Sequence, residues 1–64
     1  MDTVKVKTKK RISRYIFKND IGEISKKNFI NYGVGDKIKF KNKIPVKING
    51  DCQHILNTDL ELVR

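Results

Sequence analysis

Residues 37–56 read Lys-Ile-Lys-Phe-Lys-Asn-Lys-Ile-Pro-Val-Lys-Ile-Asn-Gly-Asp-Cys-Gln-His-Ile-Leu, and their alternation decides the fold. Ile38 and Phe40 share one face of an extended chain, with Lys37, Lys39 and Lys41 on the other. The same parity runs on through Ile44, Val46 and Ile48, opposite Lys43, Pro45 and Lys47. A period of two is the signature of a half-buried strand. Asn42 breaks the apolar row, so two strands joined at Lys41-Asn42-Lys43 are expected. Pro45 has no N–H for a ladder, which places it on an edge or with that side toward solvent. Asn49-Gly50 predicts a type I′ turn into Gln53-His54-Ile55-Leu56, because both central residues of such a turn need positive φ.

The same pattern extends outward. Val4, Val6 and Thr8 alternate with Lys5, Lys7 and Lys9 and predict a first strand. Tyr15-Ile16-Phe17, within residues 14–18, is a β-prone run that stops at the turn signal Asn19-Asp20-Ile21-Gly22. Glu23 to Ser25 reads as a short strand. Ser25 can cap one helical turn in residues 25–32, which Asn28 and Asn31 weaken. Asn57-Thr58-Asp59 turns into a last strand, Leu60 to Val63. The expected fold is an all-β barrel of five or six short strands, SH3-like or OB-like in size, as a single domain over residues 1–64. Ile38, Phe40, Val46, Ile48 and Leu62 are its expected core. Tyr15 and Phe17 are also assigned inward, since so small a core needs its large side chains.

With 64 residues there is no room for a two-lobed catalytic cleft, and stability is expected to be marginal. Hydrophobic residues at 38% against 34% charged are too many for a disordered tail. The one cysteine, Cys52, excludes an intramolecular disulfide and points to a reducing, cytoplasmic setting. No apolar run is long enough for a signal peptide or a membrane span, so no membrane partner is expected. The Lys, Asn and Ile bias fits AT-rich bacterial or phage coding.

The net charge of +8 is unevenly spread. Residues 1–18 hold seven cations against one acid, and residues 37–47 hold five lysines and no acid. Two strands with lysine at every second position would make one basic face if they were neighbours. Such a face is an electrostatic footprint for phosphate. Nucleic acid is the expected partner, held by Lys5, Lys7, Lys9, Lys10, Arg11, Arg14, Lys37, Lys39, Lys41 and Lys43. Tyr32, beside Gly33, is the candidate for stacking on a base. Two other readings stay open. Outward lysines also keep sheet edges soluble, and a basic face also suits an acidic protein surface, as in a phage-encoded inhibitor of a host protein.

Chemistry is thinly supplied. Cys52 and His54 sit two apart and point the same way in a strand, yet a structural zinc needs four ligands and no other Cys or His exists. A thiol–imidazole pair lacks an orienting third group and an oxyanion site. Asp20, Glu23, Asp36, Asp51, Asp59 and Glu61 fall mostly in turn contexts. Gly33-Val34-Gly35 is too short for a phosphate loop. Neither enzyme activity, metal nor cofactor is expected.

Two family resemblances follow from ordered pieces of the chain. Asn19-Asp20-Ile21-Gly22-Glu23-Ile24, Gly33-Val34-Gly35-Asp36-Lys37-Ile38-Lys39-Phe40, Val46-Lys47-Ile48-Asn49-Gly50-Asp51, Ile55-Leu56 and Asp59-Leu60-Glu61-Leu62-Val63 resemble the second half of GroES-type co-chaperonins over residues 19–63. That resemblance implies a small barrel and a chaperonin partner, which the family grips with a long mobile loop carrying an apolar tripeptide. Here Thr8 to Ser13 stands in that region, short and basic. Gly22-Glu23-Ile24 followed by Gly35-Asp36-Lys37-Ile38 resembles AbrB-type swapped-hairpin DNA binders, with a shorter spacer and without their usual Pro and Arg.

Overall fold

The computed structural model describes residues 2–63. Five strands, β1 (Thr3–Thr8), β2 (Ile21–Ser25), β3 (Lys43–Ile48), β4 (Asp51–Leu56) and β5 (Leu60–Leu62), form one antiparallel sheet in the order β4-β3-β2-β1-β5. The sheet curls into a half-barrel around an aliphatic core. Val6 of β1, Ile24 of β2, Ile44, Val46 and Ile48 of β3, Ile55 of β4 and Leu60 of β5 are all buried on its inner side. Ile16 and Val34 enter from the connections between strands.

The β3–β4 hairpin forms as its sequence dictates. Asn49 has φ 53° and Gly50 φ 82°, the positive pair that a type I′ turn requires. Pro45 pairs with His54 of β4, while β3 meets β2 only at Ile48 and Lys47. The proline therefore lies where β3 has run past β2, and no ladder bond is lost. A Cβ at Gly50 would meet nothing within 4 Å. Gly50→Val is thus expected to destabilise the domain through backbone conformation alone, by about 1–2 kcal/mol, read as a lower urea midpoint at unchanged slope.

Ser25 caps a helix, α1 (Lys26–Tyr32), accepting a hydrogen bond at Oγ from the Asn28 N–H at 3.1 Å. The helix runs seven residues rather than the single turn expected. Phe29 and Tyr32, three apart on one face, pack half-buried against the core and supply tertiary support that local propensity lacks. β2 begins two residues before the expected Glu23.

Three expectations are corrected. Residues 37–41 form no strand: Gly35–Lys37 is a 3-10 turn, followed by a bend at Lys39 and Phe40. Phe40 is consequently 66% exposed, and Ile38 and Leu62 are only half-buried, whereas Val46 and Ile48 are core as expected. Residues 14–18 likewise make a turn, closed by an isolated bridge between Ser13 and Ile16. There Ile16 alone goes inward; Tyr15 is 74% and Phe17 51% exposed. The core is entirely aliphatic. The reason lies in hydrogen bonds that Thr8 and Asn57 make to residues distant in the chain.

Candidate nucleic-acid interface

The lysines of β1 do not form a bare basic strip. Across the outer face of the sheet, Lys5 stands opposite Glu23, and Glu23 opposite Lys47. Lys7 stands opposite Glu61 and pairs with it at 3.5 Å. Charges alternate from strand to strand across these pairs, so Glu23 and Glu61 offset much of the charge of Lys5, Lys7 and Lys47. Since residues 37–41 are not a strand, the two expected lysine strips are not neighbours in the sheet. Lys7 and Lys37 do approach one shallow groove, but Asp36 and Glu61 line it too.

The uncompensated charge lies in two connections instead. The first, residues 9–20, carries Lys9, Lys10, Arg11, Arg14 and Lys18 against Asp20. Thr8 organises its base: the fully buried hydroxyl donates to the Phe17 carbonyl and accepts from the Asp20 N–H. Asp20 spends its carboxylate on the Phe17 N–H at 2.8 Å, which fixes the turn and leaves the cations unpaired by it. Arg11 lies 5.0 Å over the Phe17 ring, a cation–π contact. Lys10 meets Asp59 at 3.6 Å, an exposed contact that contributes little to stability. Farther out, the Tyr15 carbonyl accepts from Asn49 Nδ2 at 3.0 Å, tying the tip of this connection to the hairpin turn.

The second connection, residues 33–42 with Lys43 at the head of β3, carries Lys37, Lys39, Lys41 and Lys43 against Asp36. Its shape is set by Asn57. This side chain is fully buried, and its amide donates to the carbonyls of Tyr32 at 3.3 Å, Gly33 at 3.1 Å and Phe40 at 2.6 Å. Its Oδ1 accepts from the Asn42 N–H at 3.0 Å. The N–H groups of Lys39 and Phe40 turn back to the Tyr32 carbonyl. A chain bonded this way cannot also lie in a sheet. Lys39 Nζ donates to the Ile30 carbonyl at 2.7 Å, filling one of the acceptors that α1 leaves open at its end.

Tyr32 is half-buried against the core, so it does not stand out as the stacking residue expected. The exposed rings are Tyr15, Phe40 and Phe17, each next to at least one cation in the chain. Sequence reasoning left out these three, together with Lys18 and Asn57. Neighbouring cations were the available signal for the rings; nothing local marks Asn57, whose partners lie 15 to 25 residues away. Cys52 and His54 both lie on the outer face of the edge strand β4 and are exposed. Among the described residues no three His, Cys, Asp or Glu side chains converge to hold a metal, and no helix is long and apolar enough to cross a membrane. No family model, curated protein or solved structure matches the chain.

Proposed function

We propose that this chain is a non-catalytic nucleic-acid-binding module that holds the phosphate backbone with the cations of its two basic connections. The observation that carries this reading is the contrast between them and the sheet. On the outer face Lys5, Lys7 and Lys47 each have a glutamate in register on a neighbouring strand, whereas Lys9, Arg11, Arg14, Lys18, Lys39 and Lys41 lie outside the sheet with neither a cross-strand glutamate nor an ion pair among the described residues. Solubility alone would be served by the same mixture of signs everywhere. One-signed loops on a small scaffold suit a polyanion. Lysine is a point charge without the planar fork that reads guanine, so binding through it tolerates sequence. Of the two expected barrel classes, the strand order favours the SH3-like one, in which the first strand pairs with the second and the last. One exposed thiol fits a reducing, cytoplasmic site.

An electrophoretic shift series against duplex DNA, single-stranded DNA and RNA tests the reading. Changing Lys37, Lys39 and Lys41 together to Gln is expected to weaken binding equally across sequences. The slope of log affinity against log salt should become shallower by about two to three units. The fold should persist, because the heads of Lys37 and Lys41 contribute little to it and the bond that Lys39 makes to the Ile30 carbonyl is exposed. A parent protein with no affinity at low salt would turn attention to an acidic protein partner.

A further inference from the structure

We infer that the nucleic acid taken by this surface is single-stranded, with Phe17 and Phe40 as its stacking platforms; this rests on the phosphate-binding reading above. Phe40 is 66% and Phe17 51% exposed in a chain that has only five aromatic residues and a core without any. A domain this small gains from burying its large rings, so leaving them in water calls for another explanation. Both rings sit among cations: Phe40 lies between Lys39 and Lys41, and Phe17 lies under Arg11 next to Lys18.

The two connections that carry the rings are anchored at one turn. The 3-10 turn Asn57–Asp59 holds both connections at once. Asn57 bonds the Phe40 carbonyl, and the Asp59 carbonyl accepts from the Lys9 N–H at 2.8 Å. Lys9 follows Thr8, whose hydroxyl holds the Phe17 carbonyl. Lys9 and Lys10 stand at this junction, the first bonded to the Asp59 carbonyl and the second 3.6 Å from its carboxylate. A duplex keeps its bases stacked inside and offers these rings only its phosphates; a single strand offers base faces as well. Electrostatics alone would favour the duplex, with its denser charge. Preference for the single strand is therefore the mark of stacking.

Fluorescence anisotropy with a fluorescein-labelled oligothymidine of about 12 nucleotides, its ribo counterpart and a duplex of equal length tests this. The single strands are expected to bind more tightly than the duplex. Phe17→Ala and Phe40→Ala should each weaken single-strand affinity by about 5- to 100-fold at an unchanged salt slope. Their melting temperatures should stay near the parent's, because both rings are exposed. The chain has no tryptophan, so Phe40→Trp introduces a lone reporter that should keep affinity and lose emission when a base stacks on it. Equal or tighter duplex binding, or alanine variants that bind like the parent, would overturn the single-strand inference while leaving phosphate binding in place. No affinity for any of the three at low salt would overturn both.

Discussion

Replacing Asn57 by Leu is expected to remove most of the stability of the domain. The side chain is fully buried, with two N–H donors shared among three carbonyls and an oxygen that accepts from Asn42. Leucine has about the same volume and none of these partners. It would leave the carbonyls of Gly33 and Phe40 and the N–H of Asn42 short of bonds in places that water reaches poorly, while the Tyr32 carbonyl keeps the N–H groups of Lys39 and Phe40. Each such group costs about 1–3 kcal/mol when left unmade, so a total of about 3–5 kcal/mol is expected. A domain of this length has only about 3–10 kcal/mol to lose. Asn57→Asp separates hydrogen bonding from shape, since it keeps the volume and replaces two donors with an acceptor facing three carbonyls. It is expected to destabilise by a similar amount at neutral pH. Urea unfolding followed by circular dichroism measures both. Either variant unfolding at the parental midpoint would show that residues 33–42 are held by something other than Asn57.

Gly33→Ala is expected to have the second largest effect. The residue ends α1 with φ 74° and ψ 172°, a region of backbone space open to glycine almost alone. A Cβ there would lie 1.9 Å from the Lys37 carbonyl oxygen and 2.7 Å from its carbon. Those atoms are backbone, fixed by the 3-10 turn Gly35–Lys37, so no side-chain rotation relieves the overlap. Conformation and clash together should cost at least about 3 kcal/mol. The contrast with Gly50→Val, where the added carbons enter open solvent, distinguishes steric exclusion from simple left-handed strain. A Gly33→Ala protein as stable as the Gly50→Val one would mean that the turn relaxes around the methyl group.

Both sites control the same ten residues, and these are the residues whose conformation was not legible in the sequence. The hairpin from Lys43 to Leu56 could be read because its causes are local: alternating Ile44, Val46 and Ile48, and an Asn-Gly pair that admits one kind of turn. Residues 37–41 carry the same alternation, yet they are drawn into a loop by an asparagine in a later turn and by two glycines with φ 74° and 57°. Period-two patterning is necessary for a half-buried strand but does not supply it with a neighbour. Tyr15-Ile16-Phe17 failed for a related reason. Alternation fixes that Ile16 opposes the two rings, and it leaves open which side is the inside; Thr8, by holding the Phe17 carbonyl, settles that Ile16 enters the core. For the candidate interface, the cations could be named from composition, but their division into balanced and unbalanced sets depended on register. Glu23 and Glu61 meet β1 only because β2 and β5 flank it.

The turn Asn57–Asp59 also ties together the motions of two distant parts of the chain. Its side chain secures residues 33–42 and its last carbonyl secures Lys9. If the turn opens, both basic connections lose an anchor together, so they fluctuate as one unit of local unfolding rather than as separate loops. A ligand that orders one of them leaves less conformational entropy to be lost in the other. Contacts made at either connection thereby raise affinity at the second without any new contact between them.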